Sequence, residues 1–141
     1  MQVLIVGAGP LATGAAVALA DGGDEVTVIR PPGGAVDPEL DRPKLHVVEG
    51  DPLLALEVAG AMQADVLVAC TEADADNLVI SLLGRRRFGV RTIVAQVNEA
   101  EHGWLFDESW GIDLAVSTSA LLVAAIRGVR HAARVSSRAQ S

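Results

Sequence analysis

Residues 3–14 read VLIVGAGPLATG, and this stretch decides the fold. Val3, Leu4, Ile5 and Val6 form a short apolar run of the kind that fills a strand buried on both faces. Beyond the glycines the period changes, and Leu11, Ala15, Ala18 and Leu19 fall at helical spacing. Gly7-Ala8-Gly9-Pro10-Leu11-Ala12 therefore sits where a strand turns into a helix, as GxGxxA with Gly14 two residues on. In that context Gly7 allows a tight turn and Gly9 lets a pyrophosphate approach the backbone. The helix mouth offers free amides and a positive dipole end, and small Ala12 lets helix and strand pack closely. The competing reading is a glycine turn with no ligand.

Working outward, apolar runs at residues 26–29, 45–48, 66–69, 92–95 and 114–116 read as five further strands. Helical patterns lie near residues 53–58, 77–88 and 100–108. Such alternation implies an α/β fold: a Rossmann-like, doubly wound, parallel six-stranded sheet with helices on both faces, plus an extra C-terminal helix. Residues 31–43, with four prolines and two glycines, read as a loop in place of a helix. Asp51-Pro52 pairs an N-cap with proline at the first helical position. Thr71 through Asp74 fits a capping box, and Asn98 through Glu101 fits one more loosely.

The 141 residues suit one domain, and the core must be aliphatic, since half the residues are hydrophobic and only 3% aromatic. A net charge of −7 opposes the phosphate-neutralising surface of a nucleic-acid binder. Cys70 is the sole cysteine, so no internal disulfide can form. The start Met1-Gln2-Val3-Leu4-Ile5 lacks a positively charged leader, and no apolar run approaches the roughly 20 residues of a membrane span, so a cytoplasmic location is expected.

About 20 positions past the glycines, a Rossmann strand ends in an acid that holds the adenosine ribose. Here that position is Arg30. Arginine cannot accept from a ribose hydroxyl but can grip a 2′-phosphate or stack on adenine, which favours NADP or another phosphorylated adenine nucleotide over plain NAD. A solvated arginine before the rigid Pro31-Pro32 turn is the alternative.

The landmarks MQVLIVGAGPLATGAAVALADGGDEVTVI, VVEGDP, ADVLVACTEADADNLVISLLGRRRFGV and TIVAQVNEAEHGWLFDESWGIDLAVS, taken in order, resemble the RCK/KTN family, also called TrkA-N domains, cytoplasmic regulators of potassium channels and transporters. The resemblance implies binding of NAD(H), NADP(H) or adenine nucleotides such as ATP or ADP at the carboxyl ends of the strands. Binding would reshape a homodimer or higher ring that gates a membrane potassium transporter or channel subunit, holding the protein at the inner face of the plasma membrane. Carried over by position, the loop Gly7, Ala8, Gly9, Pro10, Leu11 and Ala12 would bind, with Gly7, Gly9 and Ala12 facing phosphates. Arg30 would face the ribose, Asp51 the adenosine end, and Thr71 and Glu72 the cleft. Pro10 stands where the family often has an arginine, and Arg30 replaces the ribose-binding acid, so ligand identity stays open.

Other chemistry is disfavoured. The chain has no tyrosine and only Lys44, which excludes the tyrosine-lysine pair of a short-chain dehydrogenase, and nothing reads GxxxxGK[ST]. No catalytic or metal-binding residues are expected: His46, His102 and His131 are scattered, Cys70 is a small buried hydrophobe, and Arg85-Arg86-Arg87 is a charged helix end. The alternatives to a sensing domain are an assembly module with a degenerate site and an NADP-dependent oxidoreductase domain. Residues 1–118 are expected to form the nucleotide domain, 119–135 a crossover or dimerisation helix, and 136–141 a flexible tail. The run 120–126 is apolar all round, so either a second copy or a further C-terminal segment should cover it.

Overall fold

The computed structural model describes the backbone of residues 1–140 and the side chains of residues 1–130, so the expected tail at 136–141 and the reading of His131 lie outside the described side chains. Central strand β1 (Gln2–Val6) buries Val3 and Ile5 in one apolar cluster and Leu4 and Val6 in the other, so the sheet is covered on both faces. Each such aliphatic side chain contributes about 1.5–3 kcal/mol on burial. Beside it lie β2 (Glu25–Arg30), β3 (Leu45–Glu49), β4 (Val66–Ala69), β5 (Thr92–Val97) and β6 (Leu114–Ser117), all parallel, in the order β3-β2-β1-β4-β5-β6. This is the expected doubly wound order, with its switch point between β1 and β4.

Helix α1 (Pro10–Asp21) covers one face, but not through the stripe that spacing suggested. Ala12, Ala16 and Ala20 are its buried residues, whereas Leu11 is exposed and Leu19 only half-buried. Alanines face the sheet where α1 packs over β2 and β1, and the chain is tightest at the helix mouth: a Cβ on Gly7 would stand 2.3 Å from the Cys70 carbonyl oxygen and 3.1 Å from Ala12 Cβ. Gly7 is thus required by this close approach, and its φ is not positive. On the other face lie α2 (Pro52–Ala55) and α3 (Asp74–Arg86). The helix read near 53–58 is one turn long and ends in a turn through Gly60, whose φ is +89°.

The loop read at 31–43 holds with one addition, and one further reading changes. Within the proline-rich stretch, Pro38–Leu40 forms a 3-10 turn capped by Asp37, which buries Leu40 beneath α1. Arg42 ties the same segment to Asp21 with bonds of 2.9 and 2.7 Å. The helix expected at 100–108 is instead two 3-10 turns, Ala100–Leu105 and Glu108–Trp110, the second stopped by Gly111 in the left-handed region. Arg85 is more than a charged helix end: it donates to the carbonyls of Gly111, Val90 and Arg91 and pairs with Asp113, fastening the approach to β6. Helix α4 (Thr118–Gln140) then leaves the domain, begun by Ser117, whose hydroxyl accepts from the Ala120 amide at 3.2 Å.

Candidate nucleotide-binding site

At the carboxyl ends of β1, β2 and β4 lies a cavity of about 590 Å³. Gly7, Ala8, Gly9, Pro10, Leu11, Ala12, Thr71 and Glu72 line it, so eight of the ten residues singled out from sequence meet there. Gly9 is the N-cap of α1, extended at φ −79° and ψ 176°, with no side-chain cap. No acid stands in the first turn, and a Cβ on Gly9 would have nothing within 4 Å. The helix does not use the amides of Leu11 and Ala12, the Thr13 amide being the first to bond back, to Gly9 at 3.0 Å. Free donors, an uncompensated dipole and open space together make an anion cradle. The cavity lies within the usual range for small-molecule sites, and it suits a nucleotide or dinucleotide.

Arg30 and Asp51 stand outside the lining. Arg30 ends β2 and leans over the following loop, where Nη2 donates to the Ala35 carbonyl at 3.5 Å. Its Nη1 is buried and has no acceptor among the described residues. A buried guanidinium N–H without an acceptor is costly and favours an added anionic partner. Asp51 caps α2, accepting from the Leu53 and Leu54 amides at 2.9 and 3.4 Å, while its neighbour Pro52 reaches the cavity.

The wall opposite α1 is built differently from expectation. Neither capping box forms: Ala73 is the N-cap of α3 and Glu99 that of the following 3-10 turn, both without side-chain bonds. Asp74 instead reaches across to the end of β5. It accepts from the Asn98 amide at 2.6 Å, the Glu99 amide at 3.0 Å, Asn98 Nδ2 at 3.1 Å and His102 Nδ1 at 2.8 Å. Asn77, fully buried, accepts from the Thr71 amide and hydroxyl and donates to the carbonyls of Thr71 and Gln96. Cys70, buried as expected, donates its thiol to Gln96 Oε1 at 3.0 Å, and burial raises its pKa. His102, read from sequence as isolated, lies beside Glu99 and Glu101, with ligand-type atoms of all three within 4.8 Å of one another. The only sequence signal for this network was the density of polar residues at 71–77 and 98–102.

The staple between Asp74 and His102 has a pH signature. Burial alone would raise the Asp74 pKa, but the amides of Asn98 and Glu99 and the side chains of His102 and Asn98 hold it below 3.8. The bond to Asp74 raises His102 above 6.5 against a smaller opposing effect of burial, aided by the charges of Glu99, Asp74 and Glu101. Asp74 therefore contributes fully above pH 3.8 and loses that contribution as pH falls through its lowered value. His102 contributes fully below pH 6.5 and loses that contribution as pH rises through its raised value. Melting temperature should fall as pH climbs past 6.5, and His102→Ala should flatten this limb. Calorimetric scans across that range check it; a parent whose alkaline limb matches the variant's contradicts the assignment.

A family model for the TrkA-N domain matches residues 3–118. The chain belongs to the TrkA-N domain family. The Trk system potassium uptake protein TrkA of Mycobacterium tuberculosis is 36% identical over 128 residues, which cover 89% of this chain and 58% of that protein. The chain thus spans little more than half of that relative. Among solved structures, GsuK bound to ADP is similar at 26% identity and TM-score 0.72, covering 85% of this chain and 31% of that one. The GsuK channel bound to NAD is 27% identical with TM-score 0.70, covering 82% and 20%. The TrkA-N chain is thus related to components of potassium transport systems, and no helix among its described residues is long and apolar enough to cross a membrane.

Proposed function

We propose that this chain is a cytoplasmic nucleotide-sensing module of a potassium uptake or channel system, without catalysis of its own. It takes NAD(P)(H) or an adenine nucleotide into the cavity below Gly9 and passes the occupancy to a membrane subunit at the inner face of the plasma membrane. The observation that carries this reading is the α1 mouth, uncapped, free of acids and open onto a cavity of dinucleotide size. The bound ADP and NAD named for the two GsuK structures support it. Native mass spectrometry of gently purified protein should reveal a copurified nucleotide or, after addition, one bound per chain. An assembly module with a degenerate site would show neither adduct nor ligand-induced thermal shift.

Arg30 bears on which nucleotide is preferred. The buried, unpaired Nη1 at the end of β2 supports a ligand with phosphate near the adenosine ribose. NADP should bind about tenfold more tightly than NAD, as one charge-assisted bond warrants. Arg30→Asp should reverse the order, because a carboxylate accepts from ribose hydroxyls and repels a 2′-phosphate. Titration calorimetry with both dinucleotides decides it; equal affinities in parent and variant remove the argument.

A further inference from the structure

The ring of His102 lies between two carboxylates. Its Nδ1 stands 2.8 Å from Asp74 Oδ2 and its Nε2 3.4 Å from Glu99 Oε2. Glu101 lies beside them, while the strands packed against this turn, β5 and β6, carry no titratable side chain. A neutral imidazole has a single N–H, so it must turn a lone pair toward one of the two carboxylates; only the protonated ring donates to both. Its bond to Asp74 is then charge-assisted, about twice as strong as a neutral one. The arrangement is built around an imidazolium.

His102 itself stands outside the cavity lining, but what it holds does not. Asp74 accepts from the Asn98 amide through Oδ1 and from the Glu99 amide through Oδ2, the oxygen that His102 shares. Asn98 lines the cavity and donates its side chain to the Thr71 carbonyl at 2.9 Å, and Thr71, Glu72 and Ala73 form the adjoining wall. His102 therefore braces, through Asp74, the wall opposite α1. Charge acts in the same direction. Asp74, Glu99 and Glu101 act on the ring, and Glu72 and Asp76 line the cavity beyond them. Loss of the His102 proton leaves that wall with its carboxylates uncompensated, which repels an anionic ligand.

We infer that nucleotide binding in this cavity is linked to a proton on His102: the protonated ring braces the wall and offsets its acidic charge, and deprotonation weakens the complex. The inference rests on the nucleotide-binding reading and adds to it a response to pH. By reciprocity the bound nucleotide holds the His102 proton more firmly, so binding takes up protons.

The test is calorimetric titration of the full chain from about pH 6 to about pH 9 with NAD⁺, whose diphosphate does not titrate there, and with ADP, whose own titration is read from the variants. The parent should bind roughly 3–10-fold more tightly at the acid end, the size of a one-charge change near partly solvated groups. In His102→Asn, whose amide keeps a neutral donor for Asp74, the affinity for NAD⁺ should stay near the parent's alkaline value at every pH. In His102→Lys, charged throughout, it should stay near the acid value. Melting curves in the same buffers confine the comparison to folded protein. An affinity for NAD⁺ that is flat in the parent, or a slope that survives in both variants, overturns the inference and leaves the nucleotide reading standing. A parent that binds neither ligand at any pH overturns both.

Discussion

Gly9→Asp is expected to abolish nucleotide binding while leaving the fold intact. The backbone at position 9 is extended, at φ −79° and ψ 176°, a conformation open to any residue, and a new Cβ meets nothing within 4 Å. Aspartate is also a preferred N-cap, and its carboxylate would accept from the free amides of Leu11 or Ala12. Helix α1 should gain roughly a few tenths of a kcal/mol from the cap, glycine being itself a tolerated N-cap. The same bond places a negative charge where the phosphate would sit, removing both its donors and the dipole's pull. Affinity should drop at least about 100-fold, or about 2.7 kcal/mol. Titration calorimetry and a thermal melt measure the two effects separately. Unchanged affinity would show that the glycine loop is not the site; lost affinity with a collapsed melting transition would mean the fold, rather than the phosphate position, had failed.

The parts of this molecule legible in sequence are those set by short-range pattern. The six strands announce themselves as short runs of mostly aliphatic residues, interrupted by Thr27, His46 and Thr92, because a parallel strand between two helical layers is largely covered, as β1 is, whereas the edge strands β3 and β6 are partly exposed; the ladder adds at most two residues at the ends. The glycine loop was legible for a related reason: its strand, turn and helix are contiguous. Spacing failed where an approach distance ruled. Leu11, Ala15 and Ala18 have helical spacing, yet Ala12, Ala16 and Ala20 face the sheet, since only a methyl fits beneath α1. It failed again at 100–108, where Gly103 and the left-handed Gly111 favour tight turns over a continuous helix. The far wall was illegible because its bonds are non-local: Asp74 meets its partners 24 to 28 residues away. A sequence that looks like a local cap can thus serve a distant loop. The same holds for Arg30, whose position was predictable but whose unpaired Nη1 depends on how the 31–36 segment folds back.

Replacing Leu122 and Ile126 together by glutamate should convert a dimer to a monomer. Sequence suggested a helix lying with one side on the sheet and needing cover elsewhere; the structure leaves every residue of 118–130 exposed. Leu121 and Leu122 are each 62% exposed, Ile126 52% and Val129 69%, and edge strand β6 adds Leu114 at 58%. Scattered apolar residues on a surface are ordinary, but a contiguous set along one helix marks a partner surface. A second copy is the occupant we propose, because two-fold self-association buries the same helix on both subunits at once and is the commonest form of oligomer. Leu122 and Ile126 stand four residues apart and so share a helix face. Two glutamates there would have to be desolvated against apolar residues with no counter-charge, a cost large enough to exceed the gain of a modest interface. The nucleotide cavity is formed by β1, β2, β4, α1 and the segment leading into α3, so the variant should retain binding and melt independently of concentration. Sedimentation at tens of micromolar protein, on the order where weak dimers show, decides the matter. A parent that already runs as a monomer, or a variant that stays dimeric, would refute the α4 interface.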